Sequence, residues 1–155
     1  MRVGFSFVAR GQSPLIALTV ALAGCGGQYP GADGWARLER DFEAVRTEYR
    51  QRLAAANTTV EITDAASFGW MRFEVLLSRA AALRIASGES AAVVEKEIAT
   101  LKSKVRDNGE KVSAEFEGGT LAIYAGGIAA NDELVKALSE MLSESRGTPG
   151  SRETK

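Results

Sequence analysis

One thiol, Cys25, and no histidine bound the chemistry open to this chain. Lack of imidazole removes the usual general base and the commonest metal ligand. It excludes Ser-His-Asp and Cys-His catalysis, and zinc sites that need histidine. Glu115 and Glu117 lie two apart and could act as paired carboxylates in acid–base or glycosidic chemistry. The same spacing on a strand is far more often the wetted face of a hairpin. Gly126-Gly127 could cradle a phosphate ahead of a helix, but the lysine and hydroxyl of a P-loop are missing. Ser78 with Arg79, or Ser139 with Lys136, offers hydroxyl and cation without local support for a dyad. No catalytic, cofactor-binding or metal-ligating residue is assigned.

The setting of Cys25 is more informative. A nine-residue apolar run, Leu15–Ala23, follows Arg2 and Arg10, and no acidic residue occurs before Asp33. The run is too short to span a bilayer, which needs about 20 residues. It has the length of a signal-peptide core, roughly 7–15 residues. Its end, Leu22-Ala23-Gly24-Cys25, resembles a bacterial lipobox. The resemblance covers only the first 27 residues or so. It implies that the Cys25 sulfur takes a diacylglycerol, that a peptidase cuts before Cys25, and that the new amino group is acylated. A thiolate is the nucleophile such a transfer needs, and the small Ala23 and Gly24 let an extended backbone enter a cleft. A single acyl chain binds membranes only marginally, whereas several anchor stably. In Gram-negative lipoproteins an aspartate after the cysteine tends to retain the protein in the inner membrane. Gly26 stands there and favours the outer membrane.

The domains expected are therefore a signal peptide over 1–24, lipidated Cys25 with a flexible linker over 25–34, one globular domain over 35–144 and a disordered tail over 145–155. Cleavage leaves 131 residues, enough for one core. The remaining 17 basic and 20 acidic residues form no basic patch, so nucleic acid is not an expected partner.

The elements that would position any site follow from periodicity. Trp35, Leu38, Phe42, Val45, Tyr49 and Leu53 recur at three and four residues and predict a first helix over 35–56. Asn57–Thr63 reads as a loop or short edge strand. Asp64 would cap a second helix over 65–86, whose apolar residues cover more than one face and place it centrally. A third helix is expected from Ser90 to about Arg106, stopped by Asn108-Gly109. KVSAEFE and TLAIYAG around Gly118-Gly119 then read as a hairpin with a two-residue turn. Its register would pair Phe116 with Leu121, Ala114 with Ile123 and Val112 with Ala125 on one apolar face. A last helix would follow, capped by Asn131 or Asp132. The expected class is α+β: three helices, a two-stranded antiparallel hairpin and a C-terminal helix.

The function expected is a small lipid-anchored envelope protein, a non-catalytic binding or accessory module at the periplasmic membrane surface. Its partners would be the membrane, through the lipid on Cys25, and another protein. The alternatives are a small-ligand sensor and, less favoured, a carboxylate-based hydrolase. A flat apolar patch on the first helix would point to a protein partner. An apolar cavity of several hundred Å³ would point to a ligand.

Overall fold

The computed structural model describes residues 32–116 and 119–147. Cys25, its leader and linker up to residue 31, Glu117, and residues 148–155 of the expected tail lie outside the described residues. The described chain forms four helices: α1 (Ala32–Ala55), α2 (Thr59–Ala86), α3 (Ala91–Glu115) and α4 (Thr120–Gly147).

The expected α+β class is therefore wrong: no strand occurs among the described residues, and the hairpin segment belongs to two helices. α3 continues past Asn108-Gly109 to Glu115, and α4 starts at Thr120 instead of near Asn131. Burial inverts the proposed register. Leu121 and Ile123, meant for the inner face, are exposed, while Ala122, meant for the wet face, is buried. Segments this short, with small Ser113, Ala114, Ala122, Ala125 and Gly126 interleaved among larger residues, fit either period. Two strands alone are marginal, whereas Ala-, Lys- and Glu-rich segments favour helix. Only the location of the break survives: Gly119, at φ +97°, takes the left-handed conformation between α3 and α4.

Two other boundaries move. α1 begins at Ala32, inside the expected linker. α2 begins at Thr59, so most of the expected loop is helical. The cap is Thr58, not Asp64. Thr58 Oγ1 accepts from the Glu61 amide, and the Glu61 carboxylate accepts from the backbone amides of Asn57 and Thr58. This is a capping box. Those hydrogen bonds hold the Glu61 carboxyl below its ordinary range.

Contacts fix the directions of the helices. Asp41 pairs with Arg79, Tyr49 meets Phe73, and Arg52 lies over Phe68, so α1 and α2 are antiparallel. Lys102 pairs with Glu74 and Arg84 with Glu97, making α2 and α3 antiparallel. Lys104 pairs with Glu133, and Ser113 donates to the Ala122 carbonyl, so α3 and α4 are antiparallel too. In a square bundle α2 and α4 would sit on a diagonal. Here these parallel helices pack extensively on each other, while α1 and α3 flank them and do not touch.

The core runs through Leu38, Phe42 and Tyr49 of α1, Phe73 and Leu77 of α2, Val105 of α3, and Leu134 and Leu138 of α4. The first-helix stripe read from the sequence faces it, with Trp35, Val45 and Leu53 at its margin. Phe73 is the hub, 6.3 Å from the Phe42 ring and 5.5 Å, edge to face, from Tyr49. α2 touches all three other helices, as its broad apolar surface requires.

The α2–α4 and α3–α4 seams rest on small residues. A Cβ at Gly126 would lie 2.0 Å from Ser113 Oγ and 2.6 Å from the Gly109 carbonyl oxygen. A Cβ at Gly109 would lie 2.9 Å from the Gly126 carbonyl oxygen. These glycines therefore serve backbone-to-backbone approach, not a turn. Gly69 similarly makes a notch for the Tyr49 ring and the Asn131 amide. Asn131 is 1% exposed and donates from Nδ2 to the Ala66 carbonyl at 2.8 Å, tying α4 to α2.

Candidate binding groove

The pairs considered for catalysis are not assembled. Glu115 is exposed at the last position of α3. Gly126 is buried in the interior of α4 and Gly127 faces Ala66, so neither presents amides to a phosphate. Ser78 Oγ donates to the Glu74 carbonyl, and Arg79 pairs with Asp41. Ser139 Oγ donates to the Val135 carbonyl. Among the described residues no group of three or more His, Cys, Asp or Glu side chains is placed to hold a metal. No helix among them is long and apolar enough to cross a membrane.

The surface feature that periodicity missed lies where α2, α3 and α4 meet. The first twelve residues of α4, Thr120–Asn131, carry no charge. Parallel packing sets this stretch beside Ala65–Met71 of α2, which is also uncharged. Between them runs an apolar cavity of about 460 Å³, with Ala66, Gly127 and Ala130 lining it between Met71 and Ile123. On the other side of Trp70 a second cavity, about 700 Å³, extends to α3 past Gly109, Ser113 and Phe116. Trp70 and Ala130 line both cavities and join them. The smallness of Ala66, Gly127 and Ala130 leaves the groove open, for the same reason that it lets the helices approach.

Apolar side chains stand proud around this groove. Met71, 61% exposed, and Ile123, 71% exposed, line it, and the exposed Phe116 lines its α3 side. Isolated exposed aliphatics are ordinary, but a contiguous cluster marks an interaction surface. None of the exposed large hydrophobic residues lies on α1, so the patch considered there is absent among the described residues. The polar groups are few. Thr63, Ser67, Trp70 and Tyr124 are the lining residues of the smaller hollow that carry a polar side-chain atom. Arg106 and Glu110, 3.8 Å apart, stand at the α3 rim. A further trough of about 710 Å³ follows α3 past Val93, but Lys96, Glu97 and Lys104 line it, as on a wetted helix face.

Two buried polar atoms lie deeper. Tyr49 Oη and Asn131 Oδ1 have no hydrogen-bond partner among the described residues. Burial raises the Tyr49 phenol above its ordinary range. Partial withdrawal from water also raises the neighbouring Asp132 carboxyl, although that residue is exposed overall. Tyr49 and Asn131 meet at Gly69, in the seam joining α1, α2 and α4.

Comparison with models of protein families, with curated proteins and with solved structures finds no match for this chain.

Proposed function

We propose that this protein is a lipid-anchored envelope module that works by binding and not by catalysis. It is moored through Cys25 to a membrane facing the periplasm, the outer membrane in a Gram-negative cell. The observation that carries the binding reading is the apolar groove around Trp70, with the exposed Met71 and Ile123 in its lining. The anchor rests on the lipobox-like Leu22-Ala23-Gly24-Cys25.

The two halves of the proposal fit one geometry. Only residues 26–31 separate Cys25 from α1, at most about 25 Å of chain. α1 starts at the end of the bundle where α2 finishes. Trp70 is sixteen residues before Ala86, so the groove begins roughly 24 Å from that end and extends away from it. A body moored this way can offer its far half to the aqueous side while its near end stays close to the bilayer.

A second reading is a sensor for a small apolar ligand. The hollow lined by Met71, Ile123 and Gly127 favours it, since its volume of about 460 Å³ falls in the range of ligand sites, roughly 300–1,000 Å³.

Membrane fractionation tests the anchor. Cys25→Ser is expected to leave the domain folded and to move the protein from the membrane fraction to the soluble one. Persistent sedimentation of the variant with membranes would overturn this half of the proposal.

A further inference from the structure

We infer that the end of the bundle nearest the tether rests on the surface of the bilayer, with Ile85 and Val93, on either side of the α2–α3 turn, entering the headgroup region. This rests on the lipid-anchor reading and names the surface that the moored body touches.

Ion pairs across the seams fix which segments share that end. Asp41 pairs with Arg79, which sets Ala32, nine residues back along α1, level with Gly88, nine residues on along the α2 direction. Arg84 pairs with Glu97, which sets Gly88 level with Val93 in the same way. α1 therefore starts beside the α2–α3 turn. Only residues 26–31 part Ala32 from Cys25, and even fully extended that span reaches about 25 Å. A headgroup layer takes up roughly 5–8 Å of it. The turn cannot stand far from the lipid.

The make-up of the turn suits a neutral lipid surface. Ile85–Val94 carries a single charge, Glu89, and Arg84 Nε donates to both of its oxygens, at 2.9 and 3.0 Å. Val93 is 50% and Ile85 38% exposed. A Cβ on Gly88 would meet no atom within 4 Å, so the tip stands clear of the other helices. Trp35, the aromatic nearest α1's start, packs against the core and leaves the aliphatics of the turn as the apolar contact. Two aliphatic side chains hold a membrane weakly by themselves. A tether makes their contact intramolecular, so a small gain suffices. Glu95 and Glu97 stand just beyond the turn with Lys96, so no basic cluster draws this end to anionic lipid. The contact is apolar, and salt should not release it.

The test uses the full lipidated chain, purified from its membranes and placed in phosphatidylcholine vesicles. Cys25 is the one thiol of the chain and the lipid occupies it, so a nitroxide reports from a single introduced cysteine. The sites are Ile85→Cys, Val93→Cys and, at the opposite end of α2, Val60→Cys. Power saturation compares collisions with oxygen, which concentrates in lipid, against collisions with a water-soluble nickel chelate. The expected oxygen-to-nickel ratio is several-fold higher at 85 and 93 than at 60, and added salt leaves it unchanged. Val93→Asp should return the label at 85 to the aqueous ratio, with helicity kept because residue 93 is exposed. Aqueous ratios at both turn positions would overturn the inference; a surface built for a protein partner would give them in vesicles of lipid alone. A ratio at 60 as high as at the turn would overturn it too, since the bundle would then lie flat. Sedimentation separates the two claims. Protein that does not follow the vesicles defeats the anchor and this inference with it, whereas vesicle-bound protein with aqueous labels at 85 and 93 defeats this inference alone.

Discussion

The α1–α2 seam and the α3–α4 seam join antiparallel helices by opposite means. In the first, bulk fills the interface: Phe42, Tyr49 and Phe73 stack ring against ring, and Gly69 is the notch that admits Tyr49. In the second, bulk is missing, and Gly109 and Gly126 bring two backbones into contact. One seam is therefore vulnerable to deletion and the other to addition. The contrast also explains the groove. Small residues that let α4 approach its neighbours also leave a hollow, lined by Ala66, Gly127 and Ala130.

Two substitutions bear on this contrast and two at the α2 cap serve as its control, from the largest effect to the smallest. Phe73→Ala removes the hub of the aromatic seam, and truncation of a buried phenylalanine costs about 3–5 kcal/mol. Chemical denaturation should show a loss of this size, and a loss under ~1 kcal/mol would mean that the seam does not depend on the ring.

Gly126→Ala adds one methyl where Ser113 Oγ and the Gly109 carbonyl already stand. Overpacking costs about 1–3 kcal/mol, partly offset by up to ~1 kcal/mol of gained helix propensity. Net destabilisation is expected, with a lower Tm. A higher Tm would show that the backbones do not meet there and would erase the contrast between the seams.

The smallest effect belongs to the α2 cap, remote from both seams. Thr58→Ala should cost about 1 kcal/mol. Glu61→Ala should destabilise at neutral pH, where its carboxylate accepts from Asn57 and Thr58. Because folding lowers the Glu61 pKa, that contribution is present above the unfolded-state value and is lost as pH falls through the folded-state value. Denaturation midpoints of Glu61→Ala and the parent should therefore converge below the carboxylate range. A constant gap across pH would show that the carboxylate is not the cap.

Legibility followed the same division. Large residues at helical spacing announced α1 and the central position of α2, because rings and leucines have few places to go except a core. Glycine misleads at 109 and 126, where it suggests a helix stop and a phosphate cradle, since a missing Cβ serves a loop and a close helix crossing equally well. The capping box is written in the spacing of Thr58 and Glu61, but Asp64 offers a competing cap in the same segment. The groove was not legible, since it depends on which of two uncharged stretches lie side by side.

Sequence alone determined the placement of a lone thiol behind a short apolar run, the aromatic stripe of α1, and the break at Gly118-Gly119. Tertiary structure decided that the chain on both sides of that break is helical, that α2 and α4 lie parallel and in contact, and that Leu121 and Ile123 face outward. The physical reason is that local pattern records what one segment prefers, whereas small residues acquire their role only from the neighbour that comes close.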